Sequence, residues 1–95
     1  MERKHVLITG SSRGIGRMCA LAFAEHDWHV FINCRNSLDQ LKETERMILA
    51  SGGICTMLPG DVGSPDDVRT MFDKISTLCG GLEVLVNNAG RAYFG

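Results

Sequence analysis

The chain has 95 residues, 44% of them apolar and 22% charged, with 10 basic and 11 acidic side chains and a formal net charge of −1. That length allows one domain with a modest core, and the ordinary composition excludes a disordered or collagen-like chain. The lack of a basic excess argues against nucleic acid as a partner, and no apolar run is long enough for a membrane span.

The start, Met1-Glu2-Arg3-Lys4-His5, is charged, and only Val6-Leu7-Ile8 follow before Thr9-Gly10. That apolar stretch is too short for a signal peptide. Residues 5–9 read as a buried strand, and Gly10 to Gly16 as a glycine-rich turn. Ile15, Met18, Cys19, Ala22, Phe23 and His26 then recur at helical spacing, which predicts a helix with that apolar face. Glu25-His26-Asp27-Trp28 follows without a glycine, so Asp27 is expected to end the helix in a strained or unusual conformation, with Trp28 as a packing anchor.

Residues 29–33 predict a second strand. Ser37 opens the next helix, and Gln40 three residues on fits a capping box. That helix should stop near Ser51 at Gly52-Gly53, with Glu43, Glu45 and Arg46 on its wet face. Residues 54–58 read as a third strand, ended by Pro59-Gly60. Ser64-Pro65-Asp66-Asp67 is a helix start with a cap, a proline suited to the first turn and two acids at the positive end. Val68, Met71, Phe72, Ile75, Leu78 and Cys79 form its apolar stripe, and Gly80-Gly81 its end. Residues 82–86 predict a fourth strand, followed by Asn87-Asn88-Ala89-Gly90. Strands alternating with helices imply an α/β fold with a parallel sheet and right-handed crossovers.

Cys19, Cys34, Cys55 and Cys79 form no C-x-x-C pair and lie in apolar segments. They read as buried thiols of a reducing, cytoplasmic protein rather than disulfides or zinc ligands. His26 and His29 straddle a helix end and a strand with no third ligand near, which gives no metal site. The methionines at 18, 47, 57 and 71 read as core gap fillers.

Chemistry concentrates in Thr9-Gly10-Ser11-Ser12-Arg13-Gly14-Ile15-Gly16, between the first strand and the first helix. A phosphate approaching helix N-terminal amides needs glycine where side chains would block it. Ser11 and Ser12 can add hydroxyl donors. The spacing G-x-x-x-G-x-G differs from the common G-x-G-x-x-G, and no Gly-Lys-Ser/Thr follows, so an ATPase or GTPase reading fails. At the end of the second strand, where a carboxylate would hold the ribose 2′-OH of NAD, the sequence reads Asn33-Cys34-Arg35-Asn36. Arg35 there, with Arg13 in the loop, suits a 2′-phosphate and points to NADP(H) over NAD(H).

These residues, with Asp61-Val62 after the third strand and Asn87-Asn88-Ala89-Gly90 after the fourth, resemble the short-chain dehydrogenases/reductases over the whole chain. The nearest type is the 3-oxoacyl-acyl-carrier-protein reductases. The resemblance implies a Rossmann-type doubly wound sheet, of which residues 1–95 supply β-α-β-α-β-α-β in strand order 3-2-1-4. It implies that Gly10, Ser12, Arg13, Gly14, Ile15 and Gly16 surround the phosphates and that Arg35 faces the 2′-phosphate. Asp61 would accept from the adenine amino group beside Val62, and Asn87, Ala89 and Gly90 would line the ribose side.

Family chemistry moves hydride between the nicotinamide and a carbonyl, with a serine and the tyrosine and lysine of Y-x-x-x-K. No such motif follows the only tyrosine, Tyr93, and no catalytic residue is assigned. The chain alone is therefore expected to be inactive. Its fourth strand is expected to be an apolar edge, completed by a C-terminal segment or by a homo-oligomer. The alternatives are a non-catalytic NADP(H)-binding or interaction module and an inactive remnant.

Overall fold

A computed structural model describes residues 3–89. The elements run β1 (His5–Ile8), α1 (Gly14–Glu25), β2 (His29–Ile32), α2 (Leu38–Ala50), β3 (Ile54–Met57), α3 (Pro65–Cys79) and β4 (Val84–Val86). All strands are parallel, in the order β3-β2-β1-β4, with Ile8 beside Ile32 on one side and Val86 on the other. This is the α/β architecture expected from the alternation of strands and helices.

Strand alternation builds two cores. Val6, Ile8, Val30 and Ile32 meet Ala20 and Ala24 of α1 and Leu41 and Ile48 of α2 on one face. Leu7 and Phe31 meet Met71 and Ile75 of α3, together with Leu58, on the other. β4 pairs only with β1 among the described residues, and Leu85 is 52% exposed. No helix among the described residues is long and apolar enough to cross a membrane.

Three details depart from the sequence reading. The buried face of α1 is Gly16, Ala20 and Ala24. Ile15 and Met18, expected inside, are 71% and 70% exposed, and Ala22 and His26 are exposed as well. The helix lies close against the loop and sheet, so its contact stripe takes the smallest side chains; Ile15 and Met18 turn outward, while Cys19 and Phe23 of the expected face are partly buried against the core. Met18 is therefore no gap filler, whereas Met71 is buried. The capping box of α2 does not form: the Ser37 side chain makes no cap hydrogen bond. Only Met71 and Ile75 of the α3 stripe are fully buried, and Phe72 and Leu78 stay exposed.

Other local signals hold. Ser64 Oγ accepts from the Asp67 amide at 3.3 Å, Pro65 opens α3 and Gly80 ends it at φ +85°. Asp27, lacking the glycine usual at such a turn, sits at φ +69° and pairs with Arg3 at 2.8 Å. Trp28 packs edge-on against Phe23 at 4.9 Å.

At the N-terminal ends of the strands, His5 and His29 are register partners, and their Nδ1 atoms lie 3.0 Å apart. One ring must donate and the other accept, so the contact needs at least one neutral imidazole. Burial first, then the charges of His5 and Arg3, hold the pKa of His29 below its usual value. The unfolded chain therefore binds the proton more readily, and stability is lost as pH falls through the ordinary histidine range near 6.5. The urea midpoint is expected to drop between about pH 7.5 and 5.5, and to drop less in His29→Gln. A flat midpoint over that range in the parent chain contradicts the expectation.

Candidate functional site

The C-terminal ends of β1 and β2 open onto a cavity of about 620 Å³ lined by Gly10, Ser12, Arg13, Gly14, Cys34, Arg35, Asn36, Ser37, Asn88 and Ala89. Its floor is the start of α1. Arg13 precedes that helix in extended conformation, no side chain caps it, and its first turn holds no acid. The first-turn amides, which have no partner within a helix, are thus left for an outside acceptor at the positive end of the dipole. The lining carries two arginines and no carboxylate.

Backbone geometry explains the glycines. Gly10 turns at φ +64°, and a side chain there would come within 2.9 Å of the Ala89 backbone. Gly14 turns at φ +60° with open space where a Cβ would stand. Gly16 has a different role: an added Cβ would lie 2.1 Å from the Gly10 carbonyl oxygen, so it serves the packing of helix on loop.

The other predicted residues separate into those at the cavity and those behind it. Arg35 lines the cavity and lies 3.9 Å from Asp61, the two side chains being 71% and 41% exposed. A pair that long and that wet contributes little, so the guanidinium is available to a better partner. One oxygen of Asp61 accepts from the Gly63 amide at 2.8 Å. Val62 and Asn87 border a separate apolar hollow of about 140 Å³ with Leu7, Val68, Phe72 and Leu85. Ile15 lies in the first turn of α1, outside the lining. Gly90 lies outside the described residues.

Ser11 does not supply a free hydroxyl. It is fully buried; its Oγ donates to Ile8 O and accepts from the Asn33 amide, both at 2.8 Å, and its own amide is bound to Asn33 O. Its neighbour Ser12 lines the cavity.

The cavity is braced by residues the sequence reading passed over. Asn33 is fully buried; its Nδ2 donates to Leu58 O at 2.8 Å and Gly60 O at 3.2 Å, and its Oδ1 accepts from the Gly10 amide at 3.2 Å. It thereby ties the ends of β1, β2 and β3 together. Thr9 Oγ1 accepts from the Asn88 and Ala89 amides at 2.9 and 3.0 Å, and Asn88 Nδ2 donates to Gly10 O at 3.0 Å. Asn88, absent from the predicted set, was legible as the second asparagine of the same motif. Cys34 at the cavity wall is buried, which raises its thiol pKa and keeps it protonated at neutral pH.

Comparison with known proteins bears on the family and the fold. The short chain dehydrogenase family model matches residues 4–95. The 3-oxoacyl-acyl-carrier-protein reductase FabG of Staphylococcus aureus is 38% identical over 87 residues, which is 92% of this chain and 35% of that protein. Glucose 1-dehydrogenase of Gluconobacter oxydans is 40% identical over 87 residues, 92% of this chain and 33% of that protein. The L-sorbose reductase of Gluconobacter frateurii, solved in complex with NADPH and L-sorbose, superposes with a TM-score of 0.87 at 33% identity, over 98% of this chain and 35% of that one. The chain spans about a third of the length of the curated relatives it matches. With the family model running across almost every residue, and the sheet matching those of solved members, the chain belongs to the short-chain dehydrogenase family.

Proposed function

We propose that the chain is the NADP(H)-binding portion of a short-chain oxidoreductase that moves hydride between NADPH and a carbonyl or alcohol. The observation that carries the reading is the cavity: uncapped amides of α1 meet Arg13 and Arg35 in a lining free of carboxylates. The amides and Ser12 would hold the pyrophosphate. Arg35 would exchange its loose contact with Asp61 for the 2′-phosphate. Asp61 and Val62 would flank the adenine, and Asn87, Ala89 and Gly90 the ribose side. The bound cofactor would supply the hydride.

The proton-transfer residues of the family have no counterpart among the residues of this chain. We assign residues 1–95 the role of the cofactor-binding half of such an enzyme, in a cytoplasmic setting, with proton transfer supplied by a catalytic segment outside these residues. The edge of β4 that is unpaired among the described residues and the exposed Leu85 support completion by such a segment or by a homo-oligomer. A non-catalytic binding module would instead bind NADPH and remain inactive when that segment is supplied.

Calorimetric titration tests the cofactor assignment. NADPH is expected to bind at least about tenfold more tightly than NADH, as charge-assisted bonds from one guanidinium allow. Arg35→Ser is expected to remove most of that preference while leaving NADH binding nearly unchanged. Equal binding of the two cofactors by the parent chain overturns the assignment.

A further inference from the structure

The glycine loop is strapped to α2 by its carbonyl oxygens. Thr44 is fully buried, and its Oγ1 donates to Ser11 O at 2.9 Å and accepts from Arg17 Nε at 2.8 Å. Arg17 Nη2 donates to Ser12 O at 2.6 Å and to Gln40 O at 2.9 Å. One arginine of α1 and one threonine of α2 thus hold two successive loop carbonyls.

This fixes more than the position of the loop. In a trans peptide the carbonyl and the following N–H lie in one plane and point in opposite directions. Holding Ser11 O and Ser12 O toward α2 therefore turns the amides of Ser12 and Arg13 away from it. Both residues line the cavity, and neither amide has an acceptor among the described residues. A loop with left-handed glycines at positions 10 and 14 has backbone freedom to reorient these planes. A reversed plane would present a carbonyl oxygen to an anion, which repels it.

Resting on the reading that this cavity takes a nicotinamide dinucleotide, we propose that Arg17 and Thr44 are positioning residues for its pyrophosphate. They act through the Ser12 and Arg13 peptide planes, without touching the cofactor. Exchange of the Thr44 hydroxyl for a methyl group therefore weakens dinucleotide binding, although the shape is kept.

The test is a set of titrations of the 95-residue chain and its Thr44→Val and Thr44→Ser variants. The probes are NADPH, NADH and adenosine 2′-monophosphate, the last followed by displacement of NADPH. Both dinucleotides carry the pyrophosphate; the monophosphate carries only the group that Arg35 would meet. Thr44→Val is expected to weaken NADPH and NADH by about tenfold, the effect of one ordinary hydrogen bond. It should leave the monophosphate within about twofold, and Thr44→Ser should recover most of the loss. A parallel loss of all three ligands shows a merely structural role and overturns the proposal, as does unchanged dinucleotide affinity. If Thr44→Val does not fold, Arg17→Lys, which keeps the charge but loses the forked donors, takes the same three titrations with the same expectations. A parent chain that binds none of the probes marks the failure of the cofactor reading itself. A parent that binds, with variants indistinguishable from it, marks the failure of the strap alone.

Discussion

Gly16→Ala is expected to destabilise the chain by about 3 kcal/mol or more, at the upper end of what overpacking costs. The added methyl would sit 2.1 Å from Gly10 O and 2.7 Å from Asn88 Nδ2. Those two atoms are already bonded to each other at 3.0 Å, and the Gly10 amide is held by Asn33. The neighbour that must yield is therefore backbone fixed from both sides rather than the end of a flexible side chain. A chain of this length has a total stability of roughly 5–15 kcal/mol, so the loss is a large fraction of it. Gly14→Ala is the control. Its Cβ meets nothing within 4 Å, and only the left-handed φ of +60° is penalised, at about 1 kcal/mol. Urea denaturation followed by circular dichroism should rank Gly16→Ala well below Gly14→Ala. Equal midpoints, or the reverse order, would refute the packing role of Gly16.

That contrast shows what the sequence could reveal. Strands and crossovers were readable because most apolar runs are bounded by glycines, prolines or caps, as at Pro59-Gly60 and Ser64-Pro65. The irregular end of α1 was readable because Asp27 stands where the backbone wants a glycine. The contact face of α1 was not. Hydrophobic spacing marks Ile15 and Met18, whereas close approach selects Gly16, Ala20 and Ala24, and size is invisible to a count of apolar positions. The site divides in the same way. Its glycines and Arg35 announce themselves by local pattern. Most of the groups that hold the loop come from distant sequence, as in Asn33 to Gly10, Thr44 to Ser11 and Asn88 to Gly10. Only the spacing of Leu41, Thr44 and Ile48 hinted that a hydroxyl faced inward.

Asn33→Asp is expected to cost about 3–5 kcal/mol at neutral pH, the range for an uncompensated buried charge, and to create no preference for NADH. The substitution puts a carboxylate near the end of β2, where an acid selects NAD in related folds. Here, however, that side chain points away from the cavity. The Nδ2 it replaces donates to two carbonyls, Leu58 O and Gly60 O, in a fully buried place. A carboxylate oxygen there would face two acceptors with no donor, so the acid would be driven toward its protonated form. Its pKa in the folded chain would lie above the unfolded value, and the variant would regain stability as pH falls. That slope is opposite to the one His29 gives the parent chain. Denaturation at about pH 7.5 and 5.5 should therefore show the gap between variant and parent narrowing on acidification. A gap that is constant or widening, or a variant as stable as the parent, would rule out the bracing role of Asn33. Under the proposed cofactor assignment, the positions after β2 that would set cofactor choice are Cys34 and Arg35, which line the cavity with Arg13. A carboxylate introduced there, and not at Asn33, is the change that should favour an unphosphorylated ribose.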